Sequence, residues 1–240
     1  MGLTLTVLGT DGSYPGPGGA CSGYLLQGAG TTVWLDAGSG TLANLQRHVG
    51  LGDVDAVVLS HEHPDHWGDI EGYWVASTYG EEKRQGIPVY ATKGVQGRTT
   101  GPMVPTFAWH LVRDGSEAAV GGLRLRFSRT DHLVETLALR VDGDGSSFLY
   151  SADTGPAWAP GPLGDVDLFL CEASYTSDKQ GAPGHLTAAQ AGEMAQAAGA
   201  RRLVLTHFWP TVDRRRSAEE AAATFGRPVE IAAPNEEYRL

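Results

Sequence analysis

Residues 61–66 read His61-Glu62-His63-Pro64-Asp65-His66, a run that packs four metal-binding side chains (His61, His63, Asp65, His66) into six positions. Imidazole and carboxylate donors without thiolate suit zinc, manganese or iron rather than a structural four-cysteine site. A lone His-x-His is commonly surface decoration; this density of ligands is not. The stretch before it, Asp55-Ala56-Val57-Val58-Leu59-Ser60, reads as a short buried strand ending in a polar residue. The cluster therefore sits on the turn where a strand empties into a loop or helix. Of the eight histidines, six fall at strand ends or motif positions: His61, His63, His66, His132, His185 and His207. His48 and His110 have no partner pattern and read as structural.

The elements that must position these groups follow from apolar patterning. Strands are expected at 3–8, 24–27, 32–35, 56–59, 89–91, 123–128, 137–141, 148–151, 168–171, 203–206 and 229–232. Helices are expected at 41–49, 70–79, 187–198, with Thr187 as N-cap, and 217–224. Strand-like runs precede His132 (Leu123–Phe127), Asp153 (Phe148–Tyr150) and His207 (Leu203–Leu205), so these residues can converge on one rim. Thr92–Ser116 is the least regular segment, with an exposed-looking Phe107-Ala108-Trp109; it reads as a surface loop, a lid or a subunit contact. Two halves, each rich in strands and then helices, suggest an α+β sandwich of two sheets with helices outside.

Composition narrows the function classes. At 240 residues the chain can bury a substantial core, and 41% hydrophobic with 19% charged residues is ordinary for a soluble globular protein. A formal net charge of −10 argues against charge-driven binding of nucleic acid or a membrane surface. Arg214-Arg215-Arg216 is too short to reverse that and reads as a solvated helix start. Cys21 and Cys171 form no framework pattern, which suits a reducing cytoplasm. No stretch has the apolar length of a membrane span, and no basic region precedes the first apolar run. Met1–Thr6 meets the formal myristoylation pattern, yet the alternation of Leu3, Leu5 and Val7 reads better as a strand that must be buried.

The His-x-His-x-Asp-His run is the signature of the metallo-β-lactamase fold, and the chain resembles that superfamily over nearly its whole length. Further fold-level motifs are Leu8-Gly9-Thr10, Ser22-Gly23-Tyr24, Asp36-Ala37-Gly38 and Ser151-Ala152-Asp153-Thr154-Gly155. The resemblance implies one αββα domain over residues 1–240, two mixed β-sheets with helices on the outer faces. It assigns His61, His63 and His132 to one divalent metal, Asp65, His66 and His207 to a second, and Asp153 to a bridge between them. Zinc is the expected metal, with manganese or iron as alternatives. Two such metals about 3.5–4 Å apart can share a water, lower its pKa toward neutrality and deliver hydroxide in line at phosphorus. With Asp65, Asp153 and that hydroxide, the first shell carries about +1, a match for a monoanionic phosphodiester.

Leu170-Cys171-Glu172-Ala173-Ser174 and Gly184-His185-Leu186-Thr187 narrow the resemblance to the tRNase Z-like phosphodiesterase branch. There the glutamate orients the histidine, which protonates the leaving oxygen; Asp65, Glu172 and His185 are thus the implied catalytic set. A departing alkoxide needs a proton, and a carboxylate-held imidazole has its pKa raised into a useful range. The tRNA-processing members carry a long arm between the ligands matching His132 and Asp153. Here 20 residues separate those positions, enough for a hairpin. A small anionic phosphodiester is therefore favoured over pre-tRNA as the substrate hydrolysed. The resemblance to a branch some of whose members hydrolyse 3′,5′-cyclic nucleotides puts such a nucleotide foremost, in the cytoplasm, with nucleic acid and membrane partners disfavoured and a homodimer left open. An RNA-processing endonuclease and a thioester or lactone hydrolase are the competing readings.

Overall fold

The computed structural model describes residues 2–101, 103–179 and 183–240. Strands β1 (Thr4–Gly9), β2 (Gly23–Gly28), β3 (Thr31–Ala37), β4 (Ala56–Leu59), β5 (Ile87–Ala91) and β6 (Phe107–Leu111) build the first sheet. Strands β7 (Glu117–Val120), β8 (Leu123–Arg129), β9 (Leu137–Gly143), β10 (Ser146–Tyr150), β11 (Leu168–Glu172), β12 (Arg202–Thr206) and β13 (Glu230–Ile231) build the second. The last strand, β14 (Glu237–Arg239), returns to the first sheet and pairs antiparallel with β1. Both sheets are mixed. β1, β2 and β3 pair antiparallel and β3 to β6 parallel; β7 to β10 pair antiparallel and β10 to β13 parallel. The helices are α1 (Thr41–Leu45), α2 (Pro64–Trp67), α3 (Ile70–Tyr79), α4 (Lys93–Arg98), α5 (Ala188–Ala197) and α6 (Arg214–Phe225).

Alternation along the strands distributes side chains to three layers of core. Leu5, Val7, Tyr24, Val33 and Leu35 of the first sheet pack face to face with Leu125, Leu139, Val141, Phe148 and Val204 of the second. Their outward neighbours Trp34, Val57 and Val89 pack with Leu45, Ile70 and Tyr73, covering the first sheet with α1 and α3. Leu149, Phe169, Cys171 and Leu203 meet Ala191, Met194, Ala221 and Phe225, covering the second with α5 and α6. This is the αββα sandwich expected from the sequence. Strand β4 is a continuous apolar run because both of its faces are buried: Ala56 and Val58 point to the central core, Val57 and Leu59 to the outer one. Among the described residues no helix is long and apolar enough to cross a membrane.

The structure departs from the sequence expectation in the edges. Segment 92–116 is not an irregular loop: it contributes α4 and then β6, which pairs with β5 from Ile87↔Phe107 to Ala91↔Leu111. Phe107 is buried, not exposed, and packs against Tyr73. Edge strands such as β6, β7 and β14 are decided by backbone pairing to a neighbour, so their short, mixed sequences carry little pattern of their own. His110 stacks on Tyr90 at 4.8 Å in that edge, and His48 hydrogen-bonds Asn235, so both lie in structural contacts.

Candidate metal centre and active site

Strand direction brings the site together. His61 and His63 follow β4, and Pro64 starts α2 at its first turn, a position that suits its fixed φ and missing N–H, presenting Asp65 and His66. His132 follows β8, Asp153 follows β10, Glu172 ends β11 and His207 follows β12. Because β8 runs parallel to β10, β11 and β12, all of these residues emerge at C-terminal strand ends, where open α/β sheets place their ligands. Three residues at those ends, Asp36, Ala152 and His207, have φ of 52°, 50° and 53°. Such left-handed backbone costs about 1–3 kcal/mol per non-glycine residue, and strain of this kind gathers at functional sites. Gly38 permits a close approach here: a Cβ on it would lie 2.1 Å from the carbonyl oxygen of Asp65.

The expected ligands form two overlapping groups. His61, His63, His132 and Asp153 lie with their donor atoms within 4.8 Å of one another, as do Asp65, His66, Asp153 and His207. Asp153 belongs to both. Its Oδ2 faces His61 Nε2 at 3.5 Å and His132 Nε2 at 3.8 Å, and its Oδ1 faces His66 Nε2 at 3.1 Å and His207 Nε2 at 3.2 Å. Asp65 Oδ2 lies 3.3 Å from His207 Nε2 and accepts the Ser13 N–H at 2.7 Å.

The hydrogen bonds outside the cluster set the tautomers, and this tests whether cations fit. His132 Nδ1 meets the Gly184 carbonyl at 2.7 Å, and His66 Nδ1 meets Asp36 Oδ2 at 2.7 Å. Ser60 Oγ donates to Asp36, so toward His61 Nδ1, at 3.0 Å, it can only accept. Ser174 Oγ donates to Glu172 and takes the same accepting role toward His207 Nδ1 at 3.0 Å. Each of these four rings therefore carries its proton on Nδ1 and turns an unprotonated Nε2 inward. His63 Nδ1 lies 3.1 Å from both His61 Nε2 and His132 Nε2, three ring nitrogens that one proton does not satisfy. His66 Nε2 and Asp153 Oδ1 are buried without a hydrogen-bond partner. Converging lone pairs with their protons fixed outward are the donor set a divalent cation requires. The His/Asp cluster is able to hold metal ions.

Electrostatics agree. Burial, reinforced by the neighbouring His66 ring, holds His61 well below the usual imidazole range. Burial works against charge on His66 too, but Asp153, Asp65 and Asp36 together draw it well above that range. The carboxylate field that would keep a proton on His66 equally favours a cation in the adjoining space. Burial tends to raise Asp65 and Asp153, yet the surrounding histidines hold both carboxyls low and ionised.

A third group joins Asp153, His207, Glu172 and His185. Glu172 is buried, and its two oxygens accept from Thr154 N at 2.8 Å, Leu186 N at 3.2 Å, Ser174 Oγ at 2.8 Å and His185 Nδ1 at 3.0 Å. A carboxylate so occupied is a positioning group and a poor metal ligand. Burial disfavours charge on His185, but Glu172 outweighs it and pushes the ring up to about 9. The ring stacks on His207 at 5.4 Å, with Nε2 as its remaining donor beside the cluster.

Two residues escaped the sequence reading of the site. Asp36 accepts Ser60 N–H and Oγ–H at 2.8 Å each, Tyr150 O–H at 2.9 Å and the His66 ring. It was legible only as part of a fold-level motif; an acidic residue ending a buried apolar strand was the available signal. Ser174 links Glu172 to His207, and nothing in its local sequence announces that. Arg214 is also more than a solvated helix start: it pairs with Asp11 at 2.6 Å and lies over the Phe208 ring, while Arg215 remains exposed.

The beta-lactamase superfamily domain matches residues 31–208. An uncharacterized protein of Mycobacterium tuberculosis is 34% identical over 255 residues, covering 100% of this chain and 93% of its own. The probable metallo-hydrolase YhfI of Bacillus subtilis is 29% identical over 251 residues, covering 96% and 97%. Its crystal structure superposes with a TM-score of 0.90 and 27% identity over 99% of both chains. A ribonuclease Z of Methanopyrus kandleri is 26% identical over 269 residues, covering 96% and 95%.

Proposed function

The chain belongs to the beta-lactamase superfamily, in its tRNase Z-like branch, and from that premise we propose that this metal-dependent hydrolase cleaves a small phosphodiester, first among them a 3′,5′-cyclic nucleotide. The observation that carries this reading is His185, which shares a group with Asp153 and His207 but is tied to a buried Glu172 whose oxygens are already occupied by hydrogen bonds. A phosphodiester releases an alkoxide, and a protonated imidazole at that place supplies the proton the alkoxide needs. A thioester, whose thiolate leaves far more readily than an alkoxide, makes a smaller demand on such an acid.

His61, His63 and His132 would hold one cation, Asp65, His66 and His207 the other, and Asp153 both. Zinc suits this imidazole-rich set. When bound, divalent cations at such a site act as Lewis acids toward a phosphoryl oxygen and activate water. The chain's own residues do the rest. Asp36, Ser60, Gly184 and Ser174 fix the imidazole tautomers, Glu172 orients His185, and His185 holds the proton at Nε2 until the leaving oxygen takes it.

Size and charge favour a small substrate over a folded RNA. The segment between His132 and Asp153 is filled by the β9–β10 hairpin, and the net charge is −10. Two unpaired buried cysteines fit a cytoplasmic setting. The deciding experiment loads the protein with zinc or manganese and compares 3′,5′-cyclic nucleotides, an unprocessed tRNA, a thioester and a lactone. Cyclic nucleotide turnover at least tenfold above the others, with a phosphomonoester product, is expected. Dominant tRNA cleavage or dominant thioester or lactone hydrolysis would replace this reading.

A further inference from the structure

Beside His185 a row of aromatic side chains runs from the reaction centre to the surface, and its chemistry bears on the part of the substrate that does not react. The Tyr175 ring stands edge-on to His185 at 6.2 Å. Trp209 lies 6.0 Å from Tyr175, inclined by only 31°, and the half-exposed Tyr14 meets Trp209 edge-on at 5.6 Å. Both central rings are held by the catalytic scaffold. Tyr175 follows Ser174, its N–H donates to Leu186 O, and its carbonyl accepts from Ala188 at the start of α5. Trp209 follows the His207-Phe208 strand end and donates its N–H to Ser174 O at 3.3 Å.

Tyr175 and Trp209 line one cavity of about 600 Å³ together with Thr176, Thr211 and Val212, a size in the ordinary range for small-molecule sites. Its charged rim is mixed, with Lys179 and Arg216 set against Asp178 and Asp213. Arg216 pairs with Asp178 at 3.3 Å and Glu220 at 2.8 Å, and Asp213 caps α6 through the Arg216 N–H. Two acidic and two basic groups cancel on the rim, so a second phosphate meets no net positive charge there. Inside that balanced rim the cavity offers aromatic faces and hydroxyls, which suit a flat, uncharged, hydrogen-bonding ring.

We propose that Tyr175 and Trp209 form the subsite that stacks the nucleobase of the substrate, so that the phosphodiester cleaved at the metal centre is a nucleotide. The substrate identity rests on the phosphodiesterase reading; the binding site itself does not. Stacking on protein aromatics is lost on alanine substitution by factors on the order of 5 to 150 per base.

The test measures binding of adenosine 5′-monophosphate and of ribose 5-phosphate to zinc-loaded protein by calorimetry, alongside cyclic AMP kinetics. Wild type should bind the base-bearing compound at least fivefold more tightly. Trp209→Ala and Tyr175→Ala should each remove most of that preference and raise KM for cyclic AMP more than they lower kcat. Trp209→Phe should restore most of the preference, which also covers the event that Trp209→Ala does not fold. Equal binding of the two compounds by wild type, or a preference untouched by the ring substitutions, would overturn the proposal. Preferential nucleotide binding without turnover of any phosphodiester would uphold the subsite and count against the activity reading instead.

Discussion

Replacing His185 by alanine separates a proton donor from a metal ligand, because the structure assigns distinct costs to each role. Glu172 loses one of its partners but keeps Thr154 N, Leu186 N and Ser174 Oγ, so no buried carboxylate is orphaned. The lost contact is a charge-assisted hydrogen bond at 3.0 Å from a mostly buried ring, and the variant should unfold with about 1–3 kcal/mol less stability, remaining folded at room temperature. The four Nδ1 anchors that orient His61, His66, His132 and His207 are untouched, so metal content should match wild type. Catalysis should then fall on the order of 10²–10⁴-fold in kcat for diesters with alkoxide leaving groups. Bis-(p-nitrophenyl) phosphate should suffer far less, since nitrophenolate leaves without a proton. The pH profile gives the sign. With its ring pushed up to about 9, His185 is protonated and active at neutral pH, and the rate on poor leaving groups should decline as pH rises past that value. Glu172→Gln should move that decline toward 6.5, the ordinary value, with a smaller loss at neutral pH. Equal losses on both leaving groups, or a drop in metal content, would show that His185 does not serve as the acid.

Purified protein should carry about two divalent cations per chain, and elemental analysis should find Asp153→Ala depleted of both while His63→Ala loses chiefly one; equal depletion would deny Asp153 its shared position. Asp36→Asn turns an amide toward donors from Ser60, His66 and Tyr150, and urea denaturation should register a loss of about 3–5 kcal/mol with metal affinity down about 10–100-fold. A change under about 1 kcal/mol with unaltered affinity would mean that this network neither supports the fold nor aims His66.

Much of this molecule is legible before folding because its information is local. The His61–His66 run, the strand-like β4 ahead of it and the Thr187 cap ahead of α5 each depend on a few neighbouring residues whose spacing dictates geometry. The two-sheet sandwich follows from alternation, since Val33 and Leu35 must face one core while Trp34 faces another. Tertiary structure alone decided what lies across the chain. Strand β6 exists because β5 offers it an edge, not because Phe107–Leu111 has a strong pattern. Asp36 reaches His66 from 30 residues away, Ser174 joins Glu172 to His207, and Tyr175 meets Trp209 over a gap of 34 positions. A hydrogen bond or a stacked ring needs its partner at a few ångströms and at the right angle. Only the packed sheets supply that distance, and it is there that ligand type becomes tautomer, and a row of aromatic residues becomes a surface.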